Sequence, residues 1–254
     1  MKICDILGVH VCVTNMNEVV SIIKKHIEEL RGKYICVSNV HTVVMAYENS
    51  EYRKIQNNAA YVLPDGKPLS IVSRKRGYAE AERVAGPDLM QELFKDAQQN
   101  GTELKHYFYG GSKETIEKLQ ENLKKNYPNL KVAGYFSPPY RALNQKEDEE
   151  VVKRINESGA DILWVGLGAP KQEYWMSQHE GRINSIMLGV GAGFDFHAET
   201  VKRAPEWMQR HCLEWLYRML QDPRRLFKRY AATNGKFVRL VLRENRQYRR
   251  KNKF

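Results

Sequence analysis

The 254-residue chain is long enough to bury one sizeable core, and its 42% hydrophobic and 28% charged residues exclude a largely disordered protein. No apolar run approaches the roughly 20 residues that a bilayer-spanning helix needs, so the sequence predicts none. The net charge of +11 lies entirely in the last fifth of the chain, because residues 202–254 carry 16 Lys and Arg against 4 Asp and Glu, whereas the remaining residues carry 25 against 26.

The N-terminal region predicts a β-strand and a reducing environment. The apolar run Ile6–Val13 contains His10, follows Asp5 and has no small-residue cleavage site, so we interpret it as a first strand and not as a signal peptide. The cysteines have no C-x-x-C spacing, which argues against disulfides or a zinc site and favours the cytosol. They occupy positions 4, 12, 36 and 212.

Between Tyr34 and Phe196, short β-type runs alternate with longer stretches in which apolar residues recur every three or four positions. This alternation predicts an α/β, Rossmann-like layered domain with a mainly parallel sheet. The predicted strands are Tyr34–Ser38, Ala60–Leu63, Lys105–Tyr109, Lys131–Phe136, Asp161–Gly166 and Ser185–Val190. The predicted helices are Thr42–Asn57, Asp88–Gln99, Lys113–Asn126, Glu147–Glu157 and Lys171–His179.

Beyond Pro205 the pattern changes, and we predict a basic helical appendage, residues 201–254, on an α/β domain of residues 1–200. The first appendage helix is predicted from Glu206 to Asp222. Its charges alternate in sign at every fourth position, which predicts an exposed stripe of ion pairs. We expect its aromatic side to pack on the domain, and Pro223 to end the helix.

The rest of the appendage, Arg224–Lys253, is predicted to form a basic amphipathic helix. Arg239, Arg243, Arg246 and Arg250 recur at helical spacing beside an apolar side. The charge is too one-sided for packing alone, so we expect attachment to an anionic membrane surface from the cytoplasmic side. Nucleic acid is the rival partner because it also attracts Lys and Arg. The sequence has no nucleic-acid recognition module, so no nucleic acid is expected.

Polar groups follow several predicted strands, at the edge where open α/β sheets bind ligands. The residues in these loops are Asn39, Asp65, Gly168, Lys171, Gln172, Gly191 and Asp195. Two glycine-rich turns, at 166–168 and 189–193, favour phosphate or nucleotide binding through backbone N–H groups. Neither turn has a complete dinucleotide or P-loop pattern, and glycines that merely permit a tight turn explain them equally well.

Asp65 is the strongest candidate for a catalytic group. It stands between Pro64 and Gly66 directly after an apolar strand, where a carboxylate could accept the proton of an attacking hydroxyl. An Asp-Gly turn whose side chain bonds its own backbone is an equally good explanation. Histidines at 41, 179 and 197 rank lower as bases, because lone histidines are more often structural.

The sequence predicts that side chains, and not a metal ion, supply positive charge to the site. It lacks the Asp-x-Asp pattern that many sugar-nucleotide transferases use to hold a divalent metal, so we expect no metal cofactor. The candidate cations are Arg83, Lys171, Lys202 and Arg203. Arginine is especially suited to oxyanions because its donors form a fork.

An ordered set of short motifs runs through nearly the whole chain, and the Pro-Lys-Gln-Glu and Lys-Arg-Ala-Pro blocks are specific in combination. The motifs are Asn39, Pro64–Gly66, Glu82–Leu89, Gly168–Glu173, Gly189–Gly191, Phe194–Asp195, Val201–Pro205 and Leu213–Arg218. Together they resemble the WecG/TagA/CpsF glycosyltransferases. The resemblance implies an inverting transferase that moves a sugar from a UDP-sugar onto a polyprenyl-diphosphate-linked acceptor sugar, for teichoic acid, common antigen or capsule-type polysaccharide.

The same resemblance implies roles for individual residues. Asp65 matches the family's catalytic base, and Asn39, Arg83 and Gln172 match pocket residues, with Arg83 a diphosphate contact. In the appendage, Arg218 and Arg225 match arginines that approach the diphosphate. We further assign Gly168, Lys171, Gly191, Asp195, Lys202 and Arg203 to substrate binding.

Some positions depart from the family pattern. Glu199 and Cys212 stand where many relatives have glycine, and residues near Val37 and Lys67 differ from the mannosaminyl branch. The donor sugar therefore stays open between N-acetylmannosamine, its uronic acid and glucose, and the oligomeric state stays open as well. A dinucleotide-dependent oxidoreductase and a basic nucleic-acid-binding protein are the alternative functions.

Overall fold

The computed structural model describes residues 1–205, 207, 208, 211 and 213–251; within the last range, the side chains at positions 225, 226, 228, 229 and 247–251 are outside the described part. The strands are β1 Lys2–Ile6, β2 Val9–Val13, β3 Tyr34–Ser38, β4 Tyr61–Pro64, β5 Lys105–Gly110, β6 Lys131–Phe136, β7 Ile162–Gly166 and β8 Ile186–Gly189. The helices are α1 Met16–Lys25, α2 Ile27–Leu30, α3 Val40–Glu48, α4 Ser50–Asn58, α5 Lys67–Lys75, α6 Gly86–Asn100, α7 Lys113–Asn126, α8 Gln145–Glu157, α9 Lys171–Gln178, α10 Gly193–His197, α11 Glu214–Gln221 and α12 Pro223–Lys251.

Six strands form one parallel sheet in the order β4-β3-β8-β7-β5-β6. Its central strands are apolar along their whole length because helices cover both faces. In β7, Leu163 and Val165 face one hydrophobic cluster, and Ile162 and Trp164 face the other. The predicted α/β layered fold is confirmed, and each predicted strand of the sheet is present with ends shifted by at most one residue.

The order of strands places a topological switch point at the carboxyl edge of the sheet. Strands β3 and β8 are neighbours, yet the chain leaves β3 for β4 on one side and reaches β8 from β7 on the other. Loops that diverge from adjacent parallel strands leave a gap between them, which is where such sheets bind ligands. Asn39 follows β3, and Val190 and Gly191 follow β8.

Two predicted elements are wrong in their extent. The run Ile6–Val13 spans the turn of an antiparallel hairpin formed by β1 and β2, with Leu7 and Gly8 at φ of 57° and 84°. The predicted helix Thr42–Asn57 is two helices separated at Asn49, whose side chain caps α4 by accepting hydrogen bonds from two backbone N–H groups. A buried leucine in a left-handed turn gives no sequence signal, because packing holds it there.

The first appendage helix is shorter than predicted. In the described part it is α11, Glu214–Gln221, and the preceding Leu213 is not helical. Glu206, Arg210 and Cys212 lie outside the described residues. Pro223 ends this segment as predicted, and it also begins α12.

The faces of α11 match the prediction only in part. Leu216 and Met219 are half-buried, but the side chain of Trp215 is exposed and contacts the Tyr230 ring edge-on, and Leu220 is 69% exposed. The charged residue Glu214 instead points to the α/β domain, where it meets Arg83. The four-residue spacing predicted that the charged residues share one face of the helix, but it did not predict which of them faces the domain.

Helix α12 packs on the α/β domain along one side and is exposed along the other. Phe237, Leu240 and Val241 are buried in the larger hydrophobic cluster. Glu244 accepts a hydrogen bond of 3.1 Å from the Leu7 backbone N–H and pairs with Arg76 at 2.5 Å. The basic helix is thus also a structural element of the domain surface. The division into two domains at residue 200 stays a prediction.

Candidate functional site

Asp65 lies directly after β4 at the carboxyl edge of the sheet. Its backbone N–H donates to the carbonyl of Ser38 at 2.8 Å, which ties this loop to the end of the neighbouring β3. Gly66 then caps α5, with Pro68 in the first helical turn. The Asp65 side chain is 27% exposed, so it is largely enclosed but still reaches solvent.

Asn39 holds the end of β3 beside Asp65. It is the N-cap of α3, and its side-chain oxygen accepts hydrogen bonds from the His41 and Thr42 backbone N–H groups at 3.0 and 3.3 Å. The Thr42 hydroxyl in turn accepts from the Asn39 N–H, which completes a capping box. The Asn39 side chain also lies near the Asp65 carboxyl and lowers its pKa. Helix capping therefore orients a side chain of the site.

Arg83 is the centre of a charged cluster around Asp65. Its Nε donates to the Asp65 carbonyl at 2.7 Å, its Nη1 to Asp88 at 3.3 Å and its Nη2 to Glu214 at 2.8 Å. Nη2 is also 3.9 Å from the Asp65 carboxylate. The guanidinium thus joins the Asp65 loop, the start of α6 and the appendage helix α11.

The surroundings raise the pKa of Asp65 above its usual value. Burial is the main cause, because it disfavours the charged form, and the nearby Glu214 carboxylate acts in the same direction. Arg83, Arg218 and the nearby Asn39 side chain lower the pKa but do not cancel the effect of burial. A carboxylate with a raised pKa is a stronger base than an ordinary surface aspartate.

The appendage brings further cations to this cluster. Arg203 pairs with Asp88, and the guanidinium carbons of Arg203 and Arg218 lie 6.0 and 5.5 Å from the centre of the Phe196 ring. Lys202 is exposed, and its carbonyl accepts a hydrogen bond from the Gln221 side chain. The side chain of the predicted contact Arg225 lies outside the described residues. The structure therefore brings Asn39, Asp65, Arg83, Arg203 and Arg218 together.

Gln172 lies under the end of β8 and holds the loop that follows it. It is buried, its Oε1 accepts from the Gly191 N–H at 3.1 Å, and its Nε2 donates to the buried Glu173 at 2.8 Å. Burial raises the pKa of the Glu173 carboxyl. Both ends of the Gln172 amide are thus occupied within the protein, and its observed contacts shape the Gly191 turn.

The other predicted binding residues lie in the loops after β7 and β8. Gly168 and Gly191 have φ of 77° and 54°, and a Cβ at Gly168 would meet no atom within 4 Å. Lys171 lies 5.4 Å above the Tyr140 ring. The Asp195 carbonyl accepts hydrogen bonds from the backbone N–H groups of residues 200 and 201. These contacts do not join them to the Arg83 cluster.

Two of the lower-ranked histidines are structural. The ring of His179 bonds the Trp175 carbonyl and the Asp148 carboxylate, and the His197 Nε2 bonds the Pro87 carbonyl at 3.0 Å. Burial lowers the pKa of His197. These contacts are consistent with their lower rank as bases.

Sequence reasoning missed three members of the cluster. The sequence motifs contain Asp88 and Glu214 but indicate no role in the site for either, and Phe196 only marks the end of the alternating pattern. A carboxylate that faces an arginine across the fold gives no sequence signal of its own. The nearest signal was the position of Glu214 four residues before Arg218, which places both on the same face of a helix.

Among the described residues, no group of three or more His, Cys, Asp or Glu side chains could hold a metal ion. Metal independence stays a prediction.

Two surface grooves lie away from Asp65, one between α1 and α6 and one along α12. In this conformation, residues of α11 lie over the Asp65 cluster.

The chain is similar to known glycosyltransferases over nearly its whole length. The family model of the glycosyl transferase WecG/TagA/CpsF family matches residues 4–251. An N-acetylglucosaminyldiphosphoundecaprenol N-acetyl-beta-D-mannosaminyltransferase of Bacillus spizizenii is 34% identical over 79% of this chain and 75% of its own length. A protein of the same name from Staphylococcus aureus is 35% identical over 87% of this chain and 86% of its own length. The chain therefore belongs to the WecG/TagA/CpsF family of glycosyltransferases.

Proposed function

We propose that this protein transfers N-acetylmannosamine from a UDP-sugar to N-acetylglucosamine carried on a polyprenyl diphosphate, in the synthesis of teichoic acid or a related surface polysaccharide. The names of the two relatives favour this donor over the uronic acid and glucose. The observation that carries the chemistry is the Asp65 carboxylate of a member of this family, which has a raised pKa and lies near Arg83 and Arg218, with Arg203 joined to the same cluster through Asp88.

In the proposed reaction, Asp65 accepts the proton of the acceptor hydroxyl as the hydroxyl oxygen attacks the anomeric carbon of the donor. A new glycosidic C–O bond forms on one face of the sugar. The C–O bond to UDP breaks on the opposite face, and its electron pair leaves with the β-phosphate oxygen. The configuration at the anomeric carbon is therefore inverted.

Arginines are proposed to stabilise the negative charge that develops on the leaving UDP. Arg83, Arg203 and Arg218 form the cationic part of the cluster, and arginine binds phosphate oxygens through two N–H groups at once. Lys202 lies on the exposed side of the same segment. Because these side chains can supply the positive charge, we infer that the reaction needs no metal ion.

The test of this function is the turnover of Asp65→Asn. The amide has nearly the same shape but cannot accept a proton, so we expect kcat to fall about 10²- to 10⁴-fold. UDP binding should persist, because the arginines remain. The measurements are transfer from UDP-N-acetylmannosamine to a short-chain lipid-diphosphate acceptor, and calorimetric titration with UDP.

The matched control is Glu121→Gln, the same carboxylate-to-amide change on the exposed side of α7. It should leave both measurements unchanged. Near-normal transfer by Asp65→Asn would remove Asp65 from the role of base. If UDP-glucose or the uronic acid is the better donor, the proposed donor sugar is wrong, but the proposed role of Asp65 as the base is not affected.

We propose that the protein works as a peripheral protein on the cytoplasmic face of the membrane, where the lipid-linked acceptor lies. No helix in the described part of the chain combines the length and apolar character needed to cross a bilayer. The outer side of α12 combines the exposed Val238 and Leu242 with Arg239, Arg243 and Arg246. An apolar strip flanked by arginines is typical of helices that lie on anionic lipid.

Neither alternative function is favoured by the comparisons. The family and both relatives are named as glycosyltransferases, which supports neither a dinucleotide-dependent oxidoreductase nor a nucleic-acid-binding protein. The possibility of a homo-oligomer stays open.

A further inference from the structure

The Arg83 guanidinium is shared between two carboxylates from distant parts of the chain. Its Nη2 donates to Glu214 of the appendage at 2.8 Å, and the same nitrogen is 3.9 Å from the Asp65 carboxylate. The shorter distance is a hydrogen bond, whereas the longer one is only an ion pair. Glu214 and Asp65 therefore compete for one nitrogen, and Glu214 holds it.

This competition matters for a base. A carboxylate that pairs closely with an arginine typically has its pKa lowered by about 1–3 units, and it accepts a proton correspondingly less well. The Asp65 carboxylate is paired with Arg83 only loosely, because it lies 3.9 Å from Nη2, whereas the Nε of Arg83 donates to the Asp65 backbone carbonyl at 2.7 Å. That hydrogen bond positions Arg83 and does not occupy either oxygen of the Asp65 carboxylate.

We propose that Glu214 is a positioning residue, which holds Nη2 of Arg83 away from the Asp65 carboxylate and so keeps that carboxylate available to the acceptor hydroxyl. The inference rests on the proposed role of Asp65 as the base. It makes α11 a component of the active site, because the competing carboxylate comes from the appendage.

The groups that face Asp65 fix the direction of the expected change. Asn39 lies at the start of α3, Arg83 precedes α6, and Glu214 and Arg218 come from α11. Among the charged groups, Glu214 is the one that raises the pKa of Asp65, and the two arginines lower it. Neutralising Glu214 therefore lowers the pKa of Asp65, both by removing a negative charge and by freeing Nη2.

Helix α11 has attachments that do not involve Glu214. Arg218 lies over the Phe196 ring, Gln221 donates to the Lys202 carbonyl at 3.0 Å, and Trp215 contacts Tyr230. The helix should therefore stay in place in Glu214→Gln. A change in chemistry can then be separated from the loss of the helix.

The experiment measures Asp65 directly and through turnover. In Glu214→Gln, carboxyl-selective ¹³C NMR of the full-length protein should show the pKa of Asp65 lowered by about one unit. The acid limb of kcat against pH should move down by a similar amount, and kcat on the plateau should fall about threefold. The KM for the donor should stay nearly constant, because the change acts on proton transfer.

Two further variants complete the design. Glu214→Asp keeps the negative charge, so the pKa of Asp65 should return at least halfway to its value in the unmodified protein. Glu121→Gln should leave the pKa of Asp65 and kcat unchanged. An unmoved pKa of Asp65 in Glu214→Gln would overturn the inference. A fall in kcat that is equal in Glu214→Gln and Glu214→Asp, with no shift of the Asp65 pKa in either variant, would overturn it as well. If Asp65→Asn is inactive while the acid limb of Glu214→Gln is unmoved, only the role of Glu214 fails. Full turnover of Asp65→Asn would reject the base, and this inference with it.

Discussion

The chemical character of Asp65 depends on neighbours from three other segments. At the end of β3, the Ser38 carbonyl accepts from its backbone N–H and Asn39 lowers the pKa of its carboxyl; Arg83, before α6, donates to its carbonyl, and α11 supplies Glu214. Because Asn39 and Asp65 follow predicted strands, the sequence was sufficient to place these two at one edge of the sheet. Glu214 is 131 positions away from Arg83, and only the folded chain shows their contact.

Glu199 provides a prediction about stability at the same scale. It follows α10 with φ of 55°, in the left-handed region where a residue with a Cβ costs about 1 kcal/mol or more. Glu199→Gly should relieve this strain, partly offset by the larger entropy of glycine in the unfolded chain. We expect a net gain of about 0.5 kcal/mol and a Tm higher by about 1–2 °C in thermal denaturation.

The control for this change is Glu199→Ala, which removes the charged group but keeps the Cβ. It should give no gain in Tm. An equal rise in both variants would show that the side chain, and not the backbone conformation, is the cause.

At the scale of elements, strands β5 and β7 are joined by a buried side-chain pair. Trp164 donates from Nε1 to Nδ1 of His106 at 3.0 Å, and the two rings stack. Burial lowers the pKa of His106 from 6.5 to about 3. The imidazole therefore stays neutral in the folded protein under conditions in which the unfolded chain binds a proton.

This pair predicts how stability depends on pH. Between about pH 6.5 and 3 the unfolded chain carries the His106 proton and the folded chain does not, so the free energy of unfolding falls as pH falls through this range. The slope from this group is at most about 1.4 kcal/mol per pH unit. Urea unfolding between pH 7 and 4 should be less steeply pH-dependent in His106→Gln, which keeps an acceptor for Trp164.

The exposed His10 supplies the control for that measurement. His10→Gln should leave the pH dependence close to that of the unmodified protein. A slope that His106→Gln does not reduce would mean that His106 is not the group responsible.

The docking of α12 shows what amphipathic spacing can and cannot predict. The spacing predicted one apolar and one basic side, and both are present. It did not predict that Phe237 would be buried in the main core, where burial of an aromatic side chain contributes on the order of 2–3 kcal/mol. Removing everything after Pro205 would therefore expose the core as well as remove the proposed membrane-binding face, so substitutions on the exposed face are a cleaner test of the proposed attachment.

At the scale of the whole molecule, the segregation of charge predicts how the protein meets a membrane. Arg239→Ala, Arg243→Ala and Arg246→Ala together should weaken binding to vesicles that contain phosphatidylglycerol. Each arginine near an anionic surface contributes about 1 kcal/mol, so the loss should be about two orders of magnitude in the partition coefficient. Co-sedimentation with these vesicles at low and moderate salt is the measurement, and salt should weaken the binding.

A control with the same change in net charge separates position from charge. Lys54→Ala, Lys124→Ala and Lys125→Ala remove three exposed cations from the α/β domain and should change binding much less. Binding that does not depend on salt, or that both triple variants lose equally, would contradict attachment through the exposed face of α12.

The amino-acid sequence alone determined the layered fold, because the alternation of apolar runs with helical periodicity is a local pattern that can be identified without knowledge of tertiary contacts. It also determined which carboxylate lies at the edge of the sheet, since Asp65 is one residue past a buried strand. The tertiary structure decided the N-terminal hairpin, the inward face of α11 and the contact of Glu214 with Arg83. These features depend on tertiary packing. The spacing of residues in the sequence does not identify which side chain of another segment a residue will contact.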